Sequence, residues 1–310
     1  MDQQAPQYSI VIPICNSSRS IEAVCQGIQA LFKRLDQSYE VILVDDASQD
    51  ESWQVLQALH AQNSNIKVIR LMRNFGQQNA VLCGFKQSRG DFVITMDDDL
   101  QHPPEEIPKL IAKVNDGYDV VIGALIEKQD RAVKKIGSRM VAWLSRVVLQ
   151  KPRELKLSGF RILRRSVVEA IGCIHTPYPY LTGMIFSVTR NVANTAVVHK
   201  PRQHGQSNYN LKKLISLAFN LLIHYSALPL RLITFVGGAM AVGSFLLGIY
   251  FIIKKMLIGQ VVPGWTTLVV LLSFFNGLLM VALSLIGEYL VRLLGEVSNR
   301  PQYVIRELKE

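Results

Sequence analysis

Three consecutive aspartates, Asp97, Asp98 and Asp99, directly follow the apolar run 92–96. A predicted helix that begins at a proline follows them. Buried strands of α/β proteins present ligand-binding groups at their carboxyl ends. Carboxylate oxygens suit Mg²⁺ and Mn²⁺. We therefore expect Asp97 and Asp99 to hold Mg²⁺ or Mn²⁺ against a diphosphate, with Asp98 directed elsewhere, toward ribose. The alternative is a cluster of helix-capping aspartates.

Apolar segments with strand and helix periodicity alternate through the first half of the chain, which is typical of a doubly wound parallel α/β sheet. The predicted strands are 9–14, 40–48, 66–71, 91–97 and 118–123, and the predicted helices are 20–35, 51–62, 76–88 and 104–116. Pro13, Asp45 and Asp46 then join the aspartates at the carboxyl edge of the sheet, where ligands bind.

Charge is unevenly distributed along the 310 residues. The net charge is −7 over 1–130, +10 over 131–165 and +7 over 166–310. The acidic first portion would repel a duplex, which argues against nucleic acid as a partner. The basic portion 131–165 is either a solvated face or a surface for anionic membrane lipids, and the apolar segments that follow it favour the lipids.

Two uncharged 22-residue segments, 232–253 and 266–287, are each long enough to cross a membrane. At 1.5 Å per residue each spans about 33 Å, against a hydrocarbon core of about 30 Å. We expect a transmembrane hairpin, preceded by a cytoplasmic domain (1–210) and a juxtamembrane amphipathic helix (211–231), and followed by a cytoplasmic tail (288–310). Buried core helices are the alternative, but these segments are too apolar for that.

The N-terminus has no secretory signal, so the main domain is expected to stay in the cytoplasm. Four cysteines without paired spacing are expected to be reduced, buried thiols. Gly237, Gly243 and Gly248 allow close helix packing and favour a homo-oligomer.

Several arginines are candidates for binding phosphate. Arg161 and Arg164 follow a Gly159 turn in the basic portion, and Arg202 lies close before the sequence GQSNY. Guanidinium groups bind phosphate oxygens through paired hydrogen bonds. We expect Arg161, Arg164 and Arg131 to contact an acceptor phosphate and Arg202 to close over the diphosphate. A solvated helix face remains the alternative for Arg164.

The chain resembles the membrane-bound family-2 glycosyltransferases that load sugars onto polyprenyl phosphate. The segments that carry the resemblance are SIVIPICN (9–16), VILVDDASQDES (41–52), RNFGQQNAVLCGF (73–85), TMDDDLQHPPEEIPKL (95–110), SGFRILRR (158–165), HGQSNY (204–209), PLRLITFVG (229–237) and GEYLVRLLGEVSNRPQYVI (287–305). The resemblance implies a GT-A (Rossmann-like) fold, a nucleotide-sugar donor, a polyprenyl phosphate acceptor and assembly as a homo-oligomer, such as a tetramer. It also implies that Pro13 and Asp46 line a nucleoside pocket, and that Asn74 and Gln77 lie on the donor side. Gln206 and Ser207 would belong to a loop near the transferred phosphates.

The expected activity is inverting transfer of a sugar, from a UDP-linked donor, to undecaprenyl phosphate at the bacterial inner membrane. A processive polysaccharide synthase is one alternative, although the Q-x-x-R-W string of that class is absent. A binding or scaffold homologue with weakened catalysis is another. Asn208 favours it slightly, because many relatives have lysine there.

Overall fold

The computed structural model describes residues 5–125, 155–176, 179–198, 264–297 and 301–310, with isolated positions between 235 and 257. The described residues form two compact units. The first contains 5–125, the described part of 155–198, and 301–310, and the second contains the described positions from 235 to 297. Most of the basic portion (131–154) and the predicted juxtamembrane helix (211–231) lie outside the described residues.

The first unit is an α/β domain whose strands form one sheet. Its strands are β1 (Tyr8–Ile14), β2 (Tyr39–Asp45), β3 (Ile66–Leu71), β4 (Phe92–Thr95), β5 (Val120–Leu125), β6 (Arg161–Arg164), β7 (Val192–Val197) and β8 (Ile305–Lys309). Its helices are α1 (Ile21–Leu35), α2 (Ser52–Gln62), α3 (Gln77–Gln87), α4 (Ile107–Asn115, preceded by a 3₁₀ turn at Pro104–Glu106), α5 (Arg165–Gly172) and α6 (Leu181–Val188).

The strand order is β7-β5-β6-β4-β1-β2-β3-β8. Strands β4, β1, β2 and β3 are parallel, as the sequence predicts. The sheet as a whole is mixed, however, and the prediction of a parallel sheet is wrong at two places. Strand β6 runs antiparallel between β4 and β5, and β8 runs antiparallel to β3 at the edge. Both strands are short and carry basic residues, so neither has the apolar pattern of a buried parallel strand.

Helices cover both faces of the sheet because the central strands are apolar on both sides. On β1, Ile10 and Ile12 belong to the cluster packed against α1, and Val11 belongs to the cluster packed against α3. This alternation is the two-residue period of a strand. A glycine allows α3 to lie close to the sheet, since a Cβ at Gly84 would lie 2.3 Å from a Val11 methyl.

The second unit contains one long apolar helix, α7 (Trp265–Val297). Within it, Phe274–Val291 has a mean hydropathy of 1.7 and none of its residues is buried. By length and composition this is the one helix among the described residues that could cross a membrane. Every described position between 235 and 257 is also helical, but the predicted two-helix hairpin remains a prediction.

Two expectations need correction. The predicted tail is not a separate segment, because residues 288–297 continue α7 and residues 305–309 form β8 in the sheet. The four cysteines are free, as predicted, but only Cys25 and Cys83 are buried, whereas Cys15 and Cys173 are exposed.

Candidate functional site

The candidate site lies at the carboxyl ends of β1, β2 and β4. The chain winds outward in one direction through β1, β2 and β3, and then crosses to β4 on the other side of β1. Open α/β sheets form a ligand crevice at such a reversal, outside the carboxyl ends of the strands. The structure places Pro13, Asp46 and Asp97 around this point, as the sequence predicts.

Asp46 fixes the loop between β3 and α3. Its Oδ1 accepts a hydrogen bond from the Phe75 N–H at 2.7 Å, and its Oδ2 accepts one from the Gly76 N–H at 2.8 Å. Gly76 has a φ of +90°, a conformation that favours glycine. Burial raises the pKa of Asp46, although these two donors oppose the shift. The carboxylate therefore positions the loop that carries Asn74 and Gln77.

The sequence predicts that Asp45 binds ligand together with Asp46 at the carboxyl edge of the sheet, but the structure gives Asp45 a supporting position instead. Its side chain is fully buried. Its Oδ1 accepts a hydrogen bond from the Ser48 N–H at 3.0 Å, and its Oδ2 lies 3.3 Å from Arg70 Nε in a charge contact without hydrogen-bond geometry. Adjacent residues at a strand end point to opposite faces, so Asp45 supports the loops beneath Asp46.

Asp97 lies at the centre of the candidate site. Its Oδ1 accepts a hydrogen bond from Gln77 Nε2 at 2.7 Å. The segment before β6 approaches it closely, because a Cβ at Gly159 would lie 3.1 Å from Asp97 Oδ2. Thr95 Oγ1 donates to the Gly159 carbonyl at 2.6 Å and holds that segment in place. Sequence reasoning missed Thr95 and Gly159 as site residues, because their proximity arises from the antiparallel pairing of β4 with β6.

Arg161 is buried beside Asp97, with 6% of its surface exposed. Burial lowers the pKa of Arg161 to about 10, and the charge of Asp97 opposes the shift. Both residues line a cavity of about 170 Å³. The other lining residues are Pro13, Gln77, Gln78, Val81, Thr95, Met96, Gly159 and Leu181.

Asp98 connects two loops, whereas the sequence suggested contact with ribose. It accepts a hydrogen bond from the Ser17 hydroxyl, in the loop after β1. Burial raises the pKa of Asp98 to about 6, with Asp97 and Asp99 contributing in the same direction and Ser17 opposing them. Asp99 Oδ1 accepts a hydrogen bond from the Gln101 N–H at 3.1 Å. The three aspartates therefore have three different environments.

Asn74 lies on the same side of the sheet as Asp46 and Asp98, near an exposed cysteine. Its Nδ2 is 3.6 Å from Cys15 Sγ. Partial burial raises the pKa of Cys15, and the charges of Asp46 and Asp98 add to the effect, so this thiol is protonated at neutral pH. Nothing in the sequence around Cys15, which follows an apolar strand, indicates a functional role for it.

Arg164 is not part of the site, so the expectation that it contacts an acceptor phosphate is wrong. Strand β6 is antiparallel to β4, so Arg161 pairs with Thr95 at the carboxyl end and Arg164 pairs with Phe92 at the opposite end. The Arg164 guanidinium donates to the Tyr118 and Val114 carbonyls at 2.9 and 3.1 Å. Four further predicted residues, Arg131, Arg202, Gln206 and Ser207, lie outside the described residues.

The carboxylates fit a divalent cation that is shared with a substrate. Among the described residues, no group of three or more His, Cys, Asp or Glu side chains could enclose a metal ion. Mg²⁺ is commonly held by one or two carboxylates together with substrate phosphates and water, rather than by a complete protein cage. Asp97 lines the polar cavity and Asp99 lies two residues further along the chain, so these two carboxylates would supply the protein's part of that donor set.

An α/β sheet with carboxylates at this crevice is typical of the GT-A fold of glycosyltransferases. Residues 9–174 match the model of glycosyl transferase family 2, and the chain belongs to that family. It is 36% identical, over 99% of its length and 95% of the relative, to an undecaprenyl-phosphate 4-deoxy-4-formamido-L-arabinose transferase of Photorhabdus laumondii. It is 35% identical to the protein of that name from Proteus mirabilis, over 97% of this chain and 94% of that one.

Solved structures support the same fold. The glucosyl-3-phosphoglycerate synthase of Mycobacterium tuberculosis, in complex with Mn²⁺, uridine diphosphate and phosphoglyceric acid, has a TM-score of 0.54 and 17% identity to this chain. The match covers 70% of this chain and 76% of that one. At this identity the similarity shows the fold alone.

Proposed function

We propose that this chain transfers a sugar from a UDP-linked donor to undecaprenyl phosphate, with inversion at the anomeric carbon. The named relatives act on undecaprenyl phosphate, and the similarity to them extends over nearly the whole chain, including the apolar C-terminal part. A donor carrying 4-deoxy-4-formamido-L-arabinose is the first to test, because it is the sugar in their names. We place the reaction on the cytoplasmic face of the bacterial inner membrane.

The observation that carries this proposal is the polar group around Asp97. A carboxylate, two glutamine side chains and a buried guanidinium line one cavity at the sheet reversal. Such a group can bind an anionic substrate and position it, which is the main demand of glycosyl transfer from a diphosphate. A divalent cation held by Asp97 and Asp99 would neutralise charge on the leaving diphosphate.

The proposed reaction needs little help from a general base. A phosphate monoester has a second pKa of about 6, so at neutral pH its oxygen is already a dianionic nucleophile. We propose that this oxygen attacks the anomeric carbon from the face opposite the nucleotide. The protein then has three tasks: to align the two substrates, to exclude water and to stabilise the leaving group.

The long helix supports a membrane location for the reaction. None of its residues over Phe274–Val291 is buried, as expected for a helix surrounded by lipid rather than by a protein core. Multi-pass topology, binding of anionic lipids by 131–165, and assembly into a homo-oligomer remain predictions.

The test uses the purified full-length protein in detergent with undecaprenyl phosphate, a panel of UDP-linked sugars and Mg²⁺ or Mn²⁺. Mass spectrometry of the lipid product should find a single sugar added. Chelation should stop the reaction, and added metal should restore it. Asp97→Asn should lower turnover at least about 100-fold, because it removes a charge that the transition state requires. Asp116→Asn, an exposed carboxylate paired with Lys113, is the matched control.

Other outcomes would change the proposal. Transfer from a UDP sugar other than formamido-arabinose would alter only the sugar. A polymeric product would favour the processive synthase. Transfer that is unaffected by chelation and by Asp97→Asn would remove the metal from the mechanism, and absence of transfer from every donor would favour a scaffold role.

A further inference from the structure

Arg161 is a buried cation whose hydrogen-bonding groups are not all used. Its Nε and Nη1 atoms are inaccessible and have no hydrogen-bond partner among the described residues. Burying an ionised group without partners is costly, so such groups in native proteins generally pair with another charge. The neighbouring arginines of β6 and α5 differ in this respect, since Arg164 and Arg165 donate to backbone carbonyls.

The position of Arg161 is set by the sheet. It belongs to β6, between Thr95 of β4 and Ile122 of β5 in the ladder. Alternate residues of a strand share a face, so Arg161 lies on the same face as Leu163, which packs in the cluster with α3. The guanidinium is therefore held by a rigid element at the base of the cavity, where Gln77 and Gln78 of α3 also lie.

Asp97 is the carboxylate that acts most strongly on Arg161. The same carboxylate already accepts a hydrogen bond from Gln77 and is the candidate ligand for a divalent cation. When Asp97 binds such a cation, less of its negative charge remains to balance the positive charge of Arg161. The loaded site then contains a buried positive charge that requires another anion.

We propose that Arg161 binds a phosphate oxyanion of the reacting substrates, an inference that rests on the proposed function. Two substrate groups have this chemistry: the leaving diphosphate of the donor and the phosphate monoester of the acceptor. A guanidinium binds either through charge-assisted hydrogen bonds, which are roughly twice as strong as neutral ones. In both cases Arg161 contacts reacting atoms and is a catalytic residue.

Binding measurements on the full-length protein in detergent test this role without turnover. One titration measures the affinity for UDP with Mn²⁺ present, and a second measures the affinity for farnesyl phosphate with UDP and Mn²⁺ present. Arg161→Met removes the charge at similar volume, and Arg161→Lys keeps the charge without the paired donors. Arg164→Met is the matched control, because it removes an arginine from the opposite end of the same strand.

We expect Arg161→Met to weaken one of the two affinities at least about tenfold, and Arg161→Lys to weaken it less. Loss in the UDP titration identifies the diphosphate as the ligand, and loss in the farnesyl phosphate titration alone identifies the acceptor. Arg164→Met should leave both affinities unchanged. The melting temperature of Arg161→Met distinguishes a structural role of Arg161 from a ligand-binding role. Replacing an unpaired buried charge by an apolar group is often neutral or stabilising, so a ligand-binding role does not require the melting temperature to fall.

The inference is overturned if Arg161→Met leaves both affinities unchanged, whatever its melting temperature, or if the wild-type protein binds neither probe. If the wild-type protein binds farnesyl phosphate through Arg161 but does not bind UDP, the inference holds and the donor nucleotide in the proposed function is wrong. The two proposals can therefore fail separately.

Discussion

Replacing Gly159 by alanine tests whether the geometry around Asp97 controls the reaction. The added Cβ would lie 3.1 Å from Asp97 Oδ2 and 3.2 Å from Oδ1, whereas ordinary contacts begin at 3.4 Å. The Gly159 backbone cannot easily retreat, because its carbonyl accepts the 2.6 Å hydrogen bond from Thr95. The carboxylate must then move by about 0.3 Å, against its hydrogen bond with Gln77.

The size of the effect follows from how steeply catalysis depends on position. A displacement of about 1 Å can cost roughly 100-fold in rate. Scaled logarithmically, a shift of about 0.3 Å predicts a loss of about fourfold in kcat/KM. The apparent affinity for Mn²⁺ should fall in parallel, because the same carboxylate is the candidate metal ligand.

The assay compares initial rates of lipid-linked sugar formation and Mn²⁺ titrations for Gly159→Ala and the wild-type protein. Gly172→Ala is the matched control, since a Cβ at Gly172 would have no neighbour within 4 Å. It should change neither quantity. Wild-type rates and metal affinity in Gly159→Ala would refute the reasoning, because they would mean that Asp97 can move without consequence.

Three further predictions concern other parts of the chain. Burial alone would raise the pKa of Glu40, but hydrogen bonds from Lys67, Ser9 and the Arg89 N–H hold it below its usual value near 4.5. The contribution of Glu40 to stability is therefore complete above pH 4.5 and is lost as pH falls through the lower pKa that Glu40 has in the folded protein. Glu40→Gln should lower the melting temperature at pH 7, and the melting temperatures of the variant and the wild type should converge in acid. Deleting residues 301–310 removes β8 and should lower the melting temperature by at least about 5 °C, with aggregation visible by light scattering. In the region outside the described residues, Asn208→Lys should be tolerated or raise turnover, whereas Arg202→Ala should lower turnover at least about tenfold, about 1.4 kcal/mol of barrier. The reverse pattern in the transfer assay would exclude that loop from phosphate binding.

The first half of the fold could be predicted because its signals are local. Strands β1 to β4 and helices α1 to α4 follow apolar periodicities, and their observed bounds lie within three residues of the predicted ones. Strands β6 and β8 could not be predicted in the same way. Their sequences, RILR and IRELK, contain too few apolar residues, and each becomes a strand by pairing with a partner distant in sequence.

The candidate site shows the same division between local and distant information. Asp97 could be predicted because it ends an apolar strand. The sequence predicts phosphate contacts for both Arg161 and Arg164, with a solvated helix face as the alternative for Arg164 alone, since both follow the same glycine in the same basic segment. The direction of β6 separates them, because the antiparallel pairing places Arg161 beside Thr95 and Arg164 beside Phe92. That direction depends on contacts with β4 and β5 rather than on either arginine's neighbours in sequence.

The position of β8 has a consequence for the order in which the protein matures. Its partner β3 ends at Leu71, whereas β8 begins at Ile305, after the apolar helix α7. At a synthesis rate of roughly 5–20 residues per second, the edge of β3 waits roughly ten seconds to a minute for its partner. During that time an unpaired strand edge is available to other chains. On the ribosome, the apolar helix emerges before the sheet is complete. Under the proposed membrane location, delivery of the nascent chain to the membrane therefore precedes the last step in the folding of the α/β domain.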